Sequence, residues 1–117
     1  MQLDKGSVLV VDDEPILRQF ICAVLEEAGY TVAEAGTPDE ALMLLAGRAF
    51  NLVISDVEMP EGNGIALLDT IRRKFPGVRL VLMSGRTLPR PSEIPNDADF
   101  LSKPFSTERL LAVVKGD

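Results

Sequence analysis

Histidine and tryptophan are absent from this 117-residue chain, and cysteine and tyrosine occur once each. Without histidine there is no imidazole base, no imidazole metal ligand and no phosphohistidine carrier. The lone cysteine, Cys22, excludes an intramolecular disulfide and fits a reducing compartment. No run approaches the ~20 apolar residues of a membrane span. Residues 1–7 lack the apolar segment of a secretory signal, so the cytoplasm is the expected location. Basic residues are also few, 12 against 18 acidic, for a net charge of −6. That argues against binding nucleic acid phosphates or an anionic membrane through this chain. Repeats and low-complexity runs are missing too. What remains is 46% hydrophobic and 26% charged, the balance of a globular domain able to bury its own core. Residues 1–117 are expected to form a single domain with no output domain, and Met1 just before the first apolar run favours a stand-alone chain.

Short apolar runs punctuate the chain: Val8 to Val11, Thr31 to Ala33, Leu52 to Ile54 and Leu80 to Met83. The first and last are nearly unbroken Val and Leu, the pattern of strands covered on both faces. Helical periods separate them. Ile16, Phe20, Val24 and Ala28 recur every four residues, widened by Ile21 and Leu25, with Gly29 as a C-terminal stop. Thr37-Pro38 with Glu40 reads as a capping box with a first-turn proline, opening a helix through Ala41, Leu42, Leu44 and Leu45. Ile65, Leu67, Leu68 and Ile71 mark a third helix ending before Pro76-Gly77. Asp99-Phe100-Leu101 is a fifth strand, and Thr107 to Val114 a last helix. Alternating strands and helices imply a parallel sheet with right-handed crossovers. The expected fold is α/β: a flavodoxin-like, doubly wound sheet of five strands in the order 2-1-3-4-5. Such sheets bind ligands at the carboxyl ends of their strands.

Asp12 and Asp13 follow the first strand, Asp56 the third, Ser84 the fourth and Lys103 the fifth. Singly, each has an ordinary reading: a helix cap, a turn residue, an N-cap, a solvated charge. Together they would gather three carboxylates, a hydroxyl and an ammonium on one rim. Clustered carboxylates repel by about 4 kcal/mol per pair at ~4 Å, and a hard divalent cation relieves that. With no imidazole and no second thiol, zinc is a poor candidate. An aspartate nucleophile, an oxygen-bound metal, a hydroxyl and a lysine suit phosphoryl transfer through an acyl phosphate.

Val10-Val11-Asp12-Asp13-Glu14, Asp56-Val57-Glu58-Met59-Pro60 with Gly64 following, Ser84-Gly85 and Lys103-Pro104-Phe105 resemble, in joint order and spacing, the receiver domain of bacterial two-component response regulators. The resemblance covers essentially the whole chain. It implies that Asp56 accepts a phosphoryl group from a histidine kinase or histidine phosphotransfer protein. It implies Mg²⁺ (or Mn²⁺) held by Asp13 and Asp56, by Asp12 through water, and by the backbone carbonyl of Glu58. Ser84 and Lys103 would bind the phosphoryl group, Ser84 and Phe100 would act as the switch, and Lys103-Pro104 would be a cis peptide bond. A phosphorylation-controlled surface would then act on a downstream protein whose identity the sequence does not give, with a homodimer left open. Enzymatic activity would be confined to self-phosphorylation and autodephosphorylation at Asp56.

One segment departs from the pattern. Pro89, Pro91 and Pro95 fall between Ser84 and Lys103, where receivers carry a fourth helix. Interior proline costs ~3 kcal/mol or more, so that helix is expected to be missing or cut to about one turn. Glu58 and Arg86, each two residues beyond a site residue, are a candidate ion pair tuning the phosphoryl lifetime. Three other readings are weighed: a receiver-like docking scaffold that works without phosphorylation, a small Mg²⁺-dependent aspartyl phosphatase, and a flavodoxin-like cofactor binder. The phosphatase reading lacks a second Asp two residues after the nucleophile, where Glu58 stands. The cofactor reading lacks a phosphate loop after the first strand.

Overall fold

The computed structural model describes residues 5–59, 62–85 and 98–116. The order of its elements is β1 (Ser7–Val11), α1 (Pro15–Glu27), β2 (Thr31–Ala35), α2 (Pro38–Gly47), β3 (Leu52–Asp56), β4 (Glu58–Met59), β5 (Gly62–Asn63), α3 (Gly64–Lys74), β6 (Arg79–Ser84), β7 (Asp99–Ser102) and α4 (Thr107–Lys115). Five strands form one parallel sheet in the order β2-β1-β3-β6-β7; β4 and β5 make a separate antiparallel pair. Counting only the large sheet, this is the 2-1-3-4-5 order of the flavodoxin-like fold.

Strand alternation explains why the central runs are apolar throughout. Leu9 and Val11, Val53, and Leu80 and Leu82 face a cluster shared with Ala41 and Leu45 of α2 and Leu67, Leu68 and Ile71 of α3. Val8 and Val10, Leu52 and Ile54, and Val81 and Met83 face a second cluster with Ile21 and Leu25 of α1 and Leu110 and Val114 of α4. Each fully buried Leu or Ile in these layers contributes about 1.5–3 kcal/mol. A sheet covered on both faces offers its polar chemistry only at its ends.

Local signals set the helix boundaries. Thr37 caps α2 by accepting a hydrogen bond from the Glu40 backbone N–H at 3.2 Å, and Glu40 Oε1 accepts from the Gly36 N–H at 3.0 Å. Gly29, just past α1, sits at φ +104°, a conformation that disfavours side-chain-bearing residues. Ser106 caps α4 by accepting from the Arg109 N–H at 3.0 Å.

The four-residue row along α1 is corrected by the structure. Ile16 is 85% exposed and Phe20 44% exposed, whereas Ile21, Cys22 and Leu25 are buried. The two rows lie side by side, one position or about 100° apart, so the helix can turn only one of them fully inward, and of the outer row Val24 alone packs against this core. The inward stripe is instead Leu17, Ile21 and Leu25 with Cys22 beside it. The Asp13 cap reading is corrected as well. The N-cap of α1 is Glu14, which makes no side-chain capping bond, and Pro15 follows at the first helical position. The shortened fourth helix and Arg86 lie outside the described residues.

Candidate functional site

The carboxyl ends of β1, β3, β6 and β7 meet at one rim. Asp12 directly follows β1, Asp56 is the last residue of β3 and Ser84 the last of β6; all three are buried. Lys103 follows β7, and its backbone N–H donates to the Ser84 carbonyl at 2.8 Å. The rim is therefore built from one more step of the same parallel ladder.

Lys103 Nζ lies 3.2 Å from Asp56 Oδ2 and 3.4 Å from Asp12 Oδ2. The other oxygens of both acids take backbone donors: Glu14 N–H to Asp12 Oδ1 at 2.9 Å, and Glu58 N–H to Asp56 Oδ1 at 3.2 Å. The exposed Asp13 completes a trio with Asp12 and Asp56 whose ligating oxygens lie within 4.8 Å of one another. Burial raises the pKa of both Asp12 and Asp56 above the ordinary carboxylate range. Lys103 and the backbone N–H donors offset this only in part. Burial disfavours the Lys103 ammonium, but Asp12 and Asp56 together more than compensate and leave its pKa raised. One cation thus serves two buried carboxylates, with a third acid at the mouth.

That imbalance fits a divalent cation. The donor set is all oxygen, the excess charge is negative, and no imidazole exists to favour a softer metal. Asp12, Asp13 and Asp56 are the side chains that would hold Mg²⁺.

Other residues singled out from the sequence fall nearby. The Lys103-Pro104 peptide bond is cis. By strand alternation Ser84 continues the face of Leu80 and Leu82, the same face on which Phe100, paired in register with Leu82, packs half-buried. Glu58 is exposed in β4. A residue the sequence reading passed over is Arg18 of α1. Its Nη1 donates to the Asp12 carbonyl at 2.8 Å, and its Nε donates to Glu34 Oε1 at 2.8 Å. Its only sequence signal is a cation on α1 close behind the Asp pair.

The response regulator receiver domain model matches residues 8–115, and the chain belongs to that family. Among curated proteins it is 38% identical over 119 residues to the sensor kinase CckA of Brucella abortus, covering 94% of this chain and 12% of that protein. It is 34% identical over 114 residues to the nitrogen assimilation regulatory protein NtrX of Azorhizobium caulinodans, covering 93% of this chain and 25% of that protein. The chain therefore spans a quarter or less of these relatives. Among solved structures, the receiver domain of NtrX from Brucella abortus superposes with a TM-score of 0.87 at 34% identity, covering 93% of this chain and 95% of that one. The chemotaxis protein CheY4 of Vibrio cholerae superposes with a TM-score of 0.88 at 29% identity, covering 95% and 97%. Receiver domains are signalling modules that bind Mg²⁺ at an acidic pocket and interact with histidine kinases and downstream effectors. Among the described residues no helix is long and apolar enough to cross a membrane.

Proposed function

We propose that Asp56 is the phosphoacceptor of a two-component phosphorelay. The observation that carries this reading is a buried Asp56 carboxylate that shares Lys103 with Asp12 and lies within 4.8 Å of both Asp12 and Asp13. In the transfer, a carboxylate oxygen of Asp56 bonds to phosphorus as the P–N bond of a donor phosphohistidine breaks. The imidazole nitrogen leaves with the electron pair and is then protonated. Mg²⁺, which Asp13, Asp56 and the Glu58 carbonyl would hold with Asp12 assisting through water, would neutralise charge on the phosphoryl oxygens. Lys103 adds a second cation on the protein side, and the Ser84 hydroxyl is the donor that meets the new phosphoryl group. Phosphorylation adds negative charge beside Lys103, which favours drawing Ser84 inward, and Phe100 on the same sheet face follows. Glu58, exposed in β4, is the described half of the proposed pair with Arg86, an ion pair that would slow attack of water on the phosphoryl group.

The donor must cover the rim to deliver phosphate. An apolar cavity of about 440 Å³ lined by Leu17, Phe20, Lys103, Pro104 and Phe105 adjoins the rim, with Ile16 exposed on the same helix. A histidine kinase or phosphotransfer protein is the partner seated there.

Intact mass after incubation with acetyl phosphate and Mg²⁺ tests the acceptor. One added phosphoryl group in the wild type, absent in Asp56→Asn and absent without Mg²⁺, is expected. No gain from acetyl phosphate or from a phosphohistidine donor would leave a docking scaffold in its place. Sustained turnover of small phosphomonoesters would instead favour a phosphatase.

A further inference from the structure

Asp12 is fully buried, and each of its polar atoms has a partner from a different segment. Its N–H donates to the Ala35 carbonyl at the end of β2 at 3.1 Å. Its Oδ1 accepts from the Glu14 N–H and its Oδ2 faces Lys103. Its carbonyl lies one residue past β1, beyond the last rung that β3 can pair, and accepts from Arg18 Nη1 at 2.8 Å. Arg18 is itself aimed by Glu34 of β2 through a second 2.8 Å contact at Nε. Its side chain is 19% exposed, so the guanidinium is largely withdrawn from water. Gly36 leaves the space it occupies: a Cβ there would come within 3.3 Å of Arg18 Nη1.

The two bonds use two arms of one rigid fork, a geometry that a single ammonium does not reproduce. The fork ties the peptide between Asp12 and Asp13 to β2. We infer that Arg18 is a positioning residue of the metal site, fixing the Asp12–Asp13 turn so that both carboxylates face Asp56. The inference rests on the proposed Mg²⁺ site and adds a residue to it.

Charge and position predict opposite signs for Arg18. A cation bonded to the Asp12 backbone opposes Mg²⁺ by Coulomb repulsion, so on charge alone deleting it would tighten binding. A residue that aims the ligands does the reverse, and losing such a support weakens metal binding by about tenfold or more.

The test is calorimetric titration of the full chain with MgCl₂, alongside thermal melts in chelator. Arg18→Met keeps the apolar stem and removes the fork; Mg²⁺ binding about tenfold weaker is expected. Arg18→Lys keeps the charge but not the fork, and is expected to fall between, about threefold weaker. Val24→Ala, on the same helix away from the rim, should lower the melting temperature and leave Mg²⁺ affinity unchanged, which separates positioning from stability. Unchanged or tighter Mg²⁺ binding in a folded Arg18→Met protein, or unchanged binding in Arg18→Lys, would overturn the inference. Should Arg18→Met not fold, Arg18→Lys decides alone by the same criterion. A wild-type chain that takes up no Mg²⁺, or takes it up equally as Asp13→Asn, would instead remove the metal site itself.

Discussion

Asp56→Asn should make the metal-free protein more stable. At an effective dielectric of 20, the Lys103 contact at 3.2 Å is worth about 5 kcal/mol of attraction. Against it stand Asp12 and Asp13 within 4.8 Å, about 3.5 kcal/mol of repulsion for the buried Asp12 and well under that for the exposed, screened Asp13. Attraction and repulsion nearly cancel, so the burial cost decides the sign, and it opposes the charge. Lys103 keeps Asp12 as a partner in the variant, so no buried cation is stranded. The expected gain is about 1–2 kcal/mol, or roughly 4–8 °C in melting temperature for a chain of this length.

Melts in chelator at neutral pH measure this gain, and two further readouts constrain its cause. Mg²⁺ at ten times its Kd should raise the wild type by about 1.4 kcal/mol and the variant hardly at all, closing or reversing the gap. The pH dependence has a defined sign. The folded pKa of Asp56 is raised, chiefly by burial. Its favourable contribution is therefore complete when the carboxyl is protonated, below its unfolded pKa, and is lost as pH rises through the folded value. The wild type should approach the variant in acid and fall behind it toward neutrality. An Asp56→Asn protein less stable than wild type in chelator at neutral pH would refute this account of the pocket.

Leu82→Ala, in the fully buried middle of β6, should lose about 3 kcal/mol of stability in urea unfolding; a loss under ~1 kcal/mol would mean the layer repacks freely. Cys22 is 5% exposed and its thiol is pushed up to about 12 by burial first, with Glu34 and Glu26 adding to the shift. It should react with a disulfide reagent only as fast as the chain opens, and rapid stoichiometric labelling of the native protein would contradict that. Phe20→Ala should leave labelling by acetyl phosphate intact while slowing transfer from a phosphohistidine donor that labels the wild type; equal transfer rates would place the donor elsewhere.

The sheet was legible because a two-sided parallel strand has one solution, a continuous apolar run, and Val8 to Val11 and Leu80 to Met83 are such runs. The rim was legible for a related reason. Where an apolar run stops at a charge in the same strand-to-helix position several times over, topology brings those charges together, as it does Asp12, Asp56 and Lys103. The face of α1 was harder, because a wide apolar stripe carries two overlapping periods and only the neighbours choose between them. Ile16 and Phe20 lost that choice to Leu17 and Ile21. Arg18 was the least legible, since its partners are a main-chain carbonyl and a side chain on another strand, neither of which leaves a mark in local spacing.

The same geometry explains why the acids stand at the rim rather than deeper. In the middle of the central strands β1, β3 and β6 the side chains pack into the two apolar layers, and a carboxylate there would have neither cation nor water. One residue past Val11 and two past Ile54, Asp12 and Asp56 are still withdrawn from water, yet within reach of backbone N–H groups and of Lys103. That position makes each carboxylate costly enough to respond to a bound cation or phosphoryl group, but supported enough to stay folded. A pocket held near electrostatic balance changes its preferred arrangement when a single charge is added. In a receiver domain that sensitivity is the working property, and it follows from where the strands end.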